Sequence, residues 1–297
     1  MQSFTFKQVA QEISSCTDLP HDEVVRRLHD EVSGDGNVPA DVHRFGVTPN
    51  CYDEAMERLY RESCGFIFEL MAFHAAPARQ RWTLRALARI ERYARKRGLP
   101  LDQVRLLMLG DGTGSDSLVL CRAGCKIDYF DVPGSRTFDF AKKRFSQNDV
   151  LHHVRIIEDY QLCLSGRYDI VLCFEVLEHL PDPLKSIMDI RKMLKAGGLA
   201  LITEAFDAID EFPTHLARNH RYRSLAPLLF LRAGMVLTWF NNEDRWKPME
   251  FVKASERYLV HYLALPANVA VMAVFGRILV RRFRWHFGRV YTKTKVS

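Results

Sequence analysis

The sequence predicts an α/β chain: a doubly wound parallel sheet, preceded by a helical region and followed by a basic extension. Three observations predict it. From Val104 onward, short apolar runs alternate with amphipathic segments, the pattern of β-α-β units. Before about residue 100 the apolar residues recur only at helical spacing. A glycine-rich turn, Gly110-Asp111-Gly112-Thr113-Gly114, stands directly between the first apolar run and the amphipathic segment after it.

Taken in order, Val24, Val25, Leu28 and Val32 repeat at helical spacing, and HDEVVRRL opens with an acidic first turn. SGDGNVPAD, residues 33–41, reads as a turn-rich break. Two further helices are expected over roughly 52–74 and 80–97, the second ending in ARKRG with Gly98 as its C-cap. VRLLMLG is a continuous apolar strand, buried on both faces, and SDSLVLCRAG its helix. KIDYFDV, HVRIIED and YDIVLCF are expected as the second to fourth strands, with RTFDFAKKRFSQ as the helix after the second. PLKSIMDIRKML is a helix, KAGG a turn, and LALITEAF the fifth strand. LRAGMVLTWF and WKPMEFVKA finish the sheet near residue 254. The expected divisions are a helical region at 1–100, an α/β domain at 101–254 and a basic extension at 255–297.

Composition limits the class. The chain has 297 residues, 47% hydrophobic and 26% charged, enough for an ample core, and it is neither collagen-like nor wholly disordered. The seven cysteines form no C-x-x-C pair, which leaves a thiolate zinc site or a secreted disulfide framework without support. The N-terminus does not read as a signal peptide, so a reducing cytoplasm is the expected location.

The glycine loop is the first chemical feature. Glycines at alternate positions let the backbone turn tightly and approach a ligand, at a helix N-terminus that offers free amides. Ser117 falls where the third glycine of G-x-G-x-x-G would be, and no Gly-Lys-Ser/Thr follows, so neither the dinucleotide fingerprint nor a P-loop is met. Asp131 ends the second strand, 17 residues beyond Gly114, where a carboxylate can accept both hydroxyls of a ribose. Asp159 ends the third, where a carboxylate can receive an adenine amino group. The alternative for each is a helix cap or a plain loop residue.

These segments, LLMLGDGTG, YFDVPGS, RIIEDY and YDIVLCFEVLEHLPDPLKSIMDIRKMLKAGGLALIT, resemble a class I S-adenosylmethionine-dependent methyltransferase over residues 104–206. EVLEHLPDP followed by an apolar helix and KAGG is similar to ubiquinone-pathway O-methyltransferases and their small-molecule relatives. The resemblance implies a Rossmann-like fold, S-adenosylmethionine as cofactor and a small-molecule acceptor, with oxygen the expected methyl-accepting atom. It further implies that Gly110, Gly112 and Gly114 surround the methionine and ribose, that Asp131 binds ribose and that Asp159 binds adenine. The sequence departs from the family at Met108, where an acidic residue is usual, and Asp111 is the nearest replacement.

Glu175, Glu178 and His179 follow the fourth strand, at spacings that place them on one face of a helical turn. Two carboxylates and an imidazole in that arrangement can converge on one divalent metal, with His215 or His220 as a further ligand, against the alternative that each of these two histidines is a surface residue. Without metal, His179 is the general-base candidate and Glu178 caps a helix. Glu204, at the end of the fifth strand, is a candidate substrate contact. The acceptor-pocket walls are expected from Phe66, Phe68 and Phe73, and from Tyr222, Trp239, Phe240 and Trp246, against the alternative that these rings are core. Two other functions stand beside small-molecule methylation: metal-dependent RNA 2′-O-methylation, and a non-catalytic cofactor-binding scaffold.

Residues 255–297 hold eight Lys+Arg against one Glu, a net +7, so the preceding 254 residues carry −1 of the chain's +6. An uncharged stretch from Tyr258 to Gly276, followed by arginines and Trp285, has the composition of a membrane-surface segment. The alternative is packing on the domain or on a second subunit of a homodimer. A nucleic-acid partner fits poorly, because the basicity lies in the extension and not in the catalytic body.

Overall fold

The computed structural model describes residues 5–34, 36–244 and 246–253. The basic extension expected at 255–297, with its membrane and subunit readings, lies outside the described residues.

Among the described residues six α-helices precede the sheet: α1 Phe6–Cys16, α2 His21–Ser33, α3 Asn37–Arg44, α4 Glu54–Glu62, α5 Gly65–Ala75 and α6 Pro77–Arg97. Two differ from the sequence expectation. The break at 33–41 is shorter than expected, because α3 starts at Asn37, where Glu31 accepts from the Asn37 backbone and side chain at 2.9 and 2.7 Å. The helix expected over 52–74 is two helices, because Asp41 captures the Ser63 hydroxyl and the Gly65 amide at their junction. A Cβ on Gly65 would stand 2.9 Å from that carboxylate. Gly98 caps α6 in the left-handed conformation, as expected.

The sheet follows with β1 Leu106–Leu109, β2 Ile127–Phe130, β3 Val154–Ile157, β4 Tyr168–Phe174, β5 Leu194–Thr203, β6 Met235–Phe240 and β7 Met249–Lys253. Its order is β3-β2-β1-β4-β5-β7-β6, with the first five strands parallel and β7 antiparallel to both β5 and β6. Between them run α7 Ser115–Arg122, α8 Arg136–Gln147, α9 Tyr160–Ser165, α10 Pro183–Met193 and α11 Ala226–Arg232. KAGG is not a free turn. Tyr168 pairs with Leu194 and Ile170 with Leu199, so residues 195–198 form a bulge inside β5, with Gly197 at φ +70°.

Both faces of the sheet are buried. Leu106 and Met108 enter one core, under α6, α7 and α8, whereas Leu107 and Leu109 enter the other, under α10 and α11. That alternation explains why β1 is an unbroken apolar run. Chain order reverses between β1 and β4, so the edge above their carboxyl ends is where an open α/β sheet binds ligands. Register aligns Leu109 with Phe130 and with Cys173, which brings the glycine loop, Asp131 and Glu175 to that one edge.

Candidate active site

Gly110, Gly112 and Gly114 all adopt positive φ, at +74°, +54° and +74°, a conformation that costs other L-residues about 1–2 kcal/mol. The loop is also tightly covered. Added Cβ atoms would meet Val176 at 2.5 Å, Leu70 at 2.4 Å and Phe145 at 2.5 Å respectively. Asp131 lies against the loop: its Oδ2 accepts from Gly112 N at 2.6 Å and its Oδ1 from Val132 N at 2.7 Å. The Tyr129 hydroxyl donates to the Gly112 carbonyl at 2.6 Å.

Asp111 does not face the ligand edge. Its carboxylate turns inward and accepts from the Asp116 and Ser117 amides at 3.1 and 2.7 Å, so it caps α7 instead of replacing the acid missing at Met108. Burial, together with the Asp116 charge, pushes its pKa up. Met108 is buried in the core. Asp159 is exposed and caps α9 through Gln161 N at 2.8 Å, which is the alternative that its sequence position left open. Sequence reading missed the anchor below the loop, where Arg79 of α6 pairs with buried Asp116 and Thr83 donates to the same carboxylate.

The Glu175 to His179 segment is a 3₁₀ turn over Leu177–His179, preceded by Glu175 at φ +52°. It does not put all three side chains on one face. Glu175 is withdrawn into an ion pair, its two carboxylate oxygens 2.7 and 2.8 Å from Lys247 Nζ. Glu178 is fully buried, and both its carboxylate oxygens lack a hydrogen-bond partner among the described residues. Burial, reinforced by the Glu175 charge, drives its pKa well above the carboxylate range.

Two imidazoles stand beside Glu178. His179 Nδ1 lies 2.9 Å from the Tyr60 hydroxyl and 3.1 Å from the Thr214 carbonyl. A carbonyl only accepts, so Nδ1 carries the hydrogen and Nε2 keeps its lone pair. His215 Nδ1 is likewise held by the Ala208 carbonyl at 3.1 Å. The rings are 4.7 Å apart and nearly perpendicular, and donor atoms of Glu178, His179 and His215 lie within 4.8 Å of one another. A backbone carbonyl behind each imidazole is the support that metal-binding or proton-accepting histidines use. Burial lowers the pKa of both rings, that of His215 to about 3. His220 is exposed and stands outside this cluster.

Glu204 Oε2 accepts from Phe206 N at 2.8 Å, and burial raises its carboxyl to about 7. Asn50, another residue missed in the sequence, donates to the carbonyls of Ile209, Phe212 and His215 at 2.9, 2.9 and 2.7 Å, which pins the loop carrying His215. Of the expected pocket aromatics, Phe68 is core, Phe66 stacks on Tyr60, and Phe73 packs edge-on against Trp82. Tyr222 packs on Phe206, Trp239 lies under Arg89, and Phe240 packs on Trp246.

A doubly wound sheet carrying a three-glycine loop at its switch point, an aspartate at the tip of β2 and an acid–histidine turn after β4 defines a class I S-adenosylmethionine-dependent methyltransferase. The chain belongs to the methyltransferase domain family, which matches residues 71–244. It is similar to the ubiquinone biosynthesis O-methyltransferase of Cereibacter sphaeroides, with 35% identity over 104 residues, 35% of this chain and 42% of that one. The enzyme of the same name from Haemophilus ducreyi is 30% identical over 105 residues, 33% of this chain and 44% of that one. The chain thus spans less than half the length of these curated relatives. Among solved structures it is similar to magnesium protoporphyrin IX methyltransferase from Synechocystis with bound S-adenosylmethionine. There the identity is 15% and the TM-score 0.45, over 73% of this chain and 97% of that one. A second is a sarcosine dimethylglycine methyltransferase homologue from Galdieria sulphuraria, at 15% identity and TM-score 0.43, over 81% of this chain and 90% of that one.

Proposed function

We propose that the chain moves a methyl group from S-adenosylmethionine to a hydroxyl oxygen of a small-molecule acceptor. The observation that carries this reading is the bare, buried Glu178 carboxylate beside two imidazoles whose Nε2 atoms are kept as acceptors, at the same sheet edge as the glycine loop. The three left-handed glycines and the Asp131 carboxylate fit the cofactor, the glycines by allowing the tight turn that ends at the N-terminus of α7 and Asp131 as acceptor for ribose hydroxyls. When bound, S-adenosylmethionine supplies a methyl group already activated on a sulfonium. The chain's own residues would hold the acceptor hydroxyl in line with that methyl, which is where most of the rate comes from in such a transfer. His179 Nε2 takes the hydroxyl proton, because burial keeps the ring neutral at pH 7.

A second reading is favoured by the Glu178 oxygens, which have no hydrogen-bond partner among the described residues. Glu178, His179 and His215 would hold a divalent cation, which would make an acceptor hydroxyl more acidic. Equal metal content in the wild type and in Glu178→Ala/His179→Ala would refute it.

Incubation with methyl-labelled S-adenosylmethionine and catechol as probe tests the main reading. Label is expected on oxygen, and His179→Ala should slow transfer by about 100-fold or more. Transfer undiminished in His179→Ala, or label on nitrogen acceptors alone, would contradict it.

The reading of the extension as a contact for anionic membrane rests on its sequence, with about 1 kcal/mol expected per basic residue near such a surface. No helix among the described residues is long and apolar enough to cross a membrane. Flotation with phosphatidylglycerol vesicles tests the contact: full-length chain should float, and a chain ending at residue 254 should not.

A further inference from the structure

Three carboxylates, Glu175, Glu178 and Glu204, converge at the ligand edge, and one ammonium, Lys247 Nζ, stands among them. It binds Glu175 through both oxygens, at 2.8 and 2.7 Å. The Trp82 ring lies 4.9 Å from the same ammonium, so a π face takes part of the charge that water would otherwise solvate. Burial works against its protonation, but the charge of Glu175 and the bond to it outweigh that.

The lysine is delivered by a braced loop. Between β6 and β7, Asn241 Nδ2 donates to the Lys247 carbonyl at 3.0 Å and Lys247 N donates to the Asp244 carbonyl at 2.8 Å. Arg85 of α6 clamps the same loop through Asp244 and through Glu243, the latter at 2.6 Å. Lys247 is therefore held in place from outside the acidic cluster, not merely drawn in by it.

We propose that Lys247 is the resident cation of this cluster and a specificity-determining residue of the site. It takes Glu175 out of the donor set, so the E-x-x-E pair does not chelate as a pair. Glu178 with His179 and His215 is left as a three-donor set that accepts a hydroxyl, or a divalent cation only weakly. The inference concerns the division of labour between the two glutamates and holds whichever ligand Glu178 takes.

Mn²⁺ binding to the full chain, followed by calorimetry and by electron paramagnetic resonance of the free ion, tests it. Lys247→Met removes a positive charge and frees Glu175, and should bind Mn²⁺ about tenfold or more tighter than wild type. Adding Glu175→Gln should return the affinity to within about threefold of wild type, and Lys247→Arg, which keeps the charge, should leave it there. If Lys247→Met does not fold by circular dichroism, Lys247→Gln, which keeps a polar head, carries the same expectation. Equal or weaker Mn²⁺ binding in a folded Lys247→Met or Lys247→Gln chain overturns the proposal, as does a gain that survives Glu175→Gln. A wild type that ignores Mn²⁺ beside a variant that binds it would sink the metal reading of Glu178 while upholding the role of Lys247.

Discussion

The Tyr60 hydroxyl stands 2.9 Å from His179 Nδ1, which joins the helical layer before the sheet to the turn after β4. Tyr60 belongs to α4 and stacks on Phe66 with ring centroids 5.1 Å apart. The helical region thus reaches the turn after β4, and Tyr60 helps to fix the tautomer of the His179 ring.

Tyr60→Phe keeps the stacked ring and removes the hydroxyl. It should lower kcat/KM about tenfold, equivalent to about 1.4 kcal/mol, with little change in Tm. Steady-state kinetics beside a thermal melt checks this, and an unchanged kcat/KM would show that the Thr214 carbonyl alone orients His179.

Gly110→Ala forces a left-handed alanine whose Cβ meets Val176 at 2.5 Å. Strain and overpacking together should cost about 2–4 kcal/mol and weaken S-adenosylmethionine binding at least about tenfold. Gly124 is the control. Its φ is +94° with nothing within 4 Å of an added Cβ, so Gly124→Ala should lose stability and keep cofactor affinity.

The sheet was legible from the sequence because its signals are local: α8 and β4 run over the expected residues 136–147 and 168–174, and β6 and β7 fall within the expected runs. Residue type and spacing predict that Glu175, Glu178 and His179 converge, with His215 or His220 as a further ligand; Glu178, His179 and buried His215 do come together, while Glu175 turns to Lys247 and His220 stays outside. What escaped depends on contacts between distant segments. Lys247 reaches Glu175 across 72 positions, and Tyr60 reaches His179 across 119. No spacing rule along the chain encodes such a pair. Asp111 and Asp159 are ambiguous for a different reason: an aspartate before a helix serves its own amides as readily as a ligand, and both accept such amides here.

Asp116→Asn tests the support beneath the glycine loop. Arg79 and Asp116 are each buried to within a few per cent, with side-chain exposures of 3% and 4%. Removing one partner leaves the other charge uncompensated, which should cost about 3–5 kcal/mol in urea denaturation. A loss below about 1 kcal/mol would mean that water reaches Arg79.

Acid stability has a named contributor in Asp169, at the start of β4. Burial alone would raise its pKa, but Lys195 at 2.8 Å, the Arg105 amide at 3.0 Å and the Tyr93 hydroxyl at 3.1 Å hold it below the usual carboxylate value. A carboxyl lowered on folding stabilises the fold above its unfolded pKa of about 4, and that contribution disappears as pH falls through the lower folded value. Asp169→Asn should therefore be less stable than wild type at pH 7, and the difference should shrink below about pH 4. Chemical denaturation at a series of pH values reads it.

The central claim is that this chain binds S-adenosylmethionine at the glycine loop, with Asp131 receiving the ribose. Isothermal titration of the full chain with S-adenosylmethionine tests it most directly. One site is expected in the wild type, with at least about tenfold weaker binding by Asp131→Ala. No binding by a folded wild-type chain, or equal binding by Asp131→Ala, would contradict it.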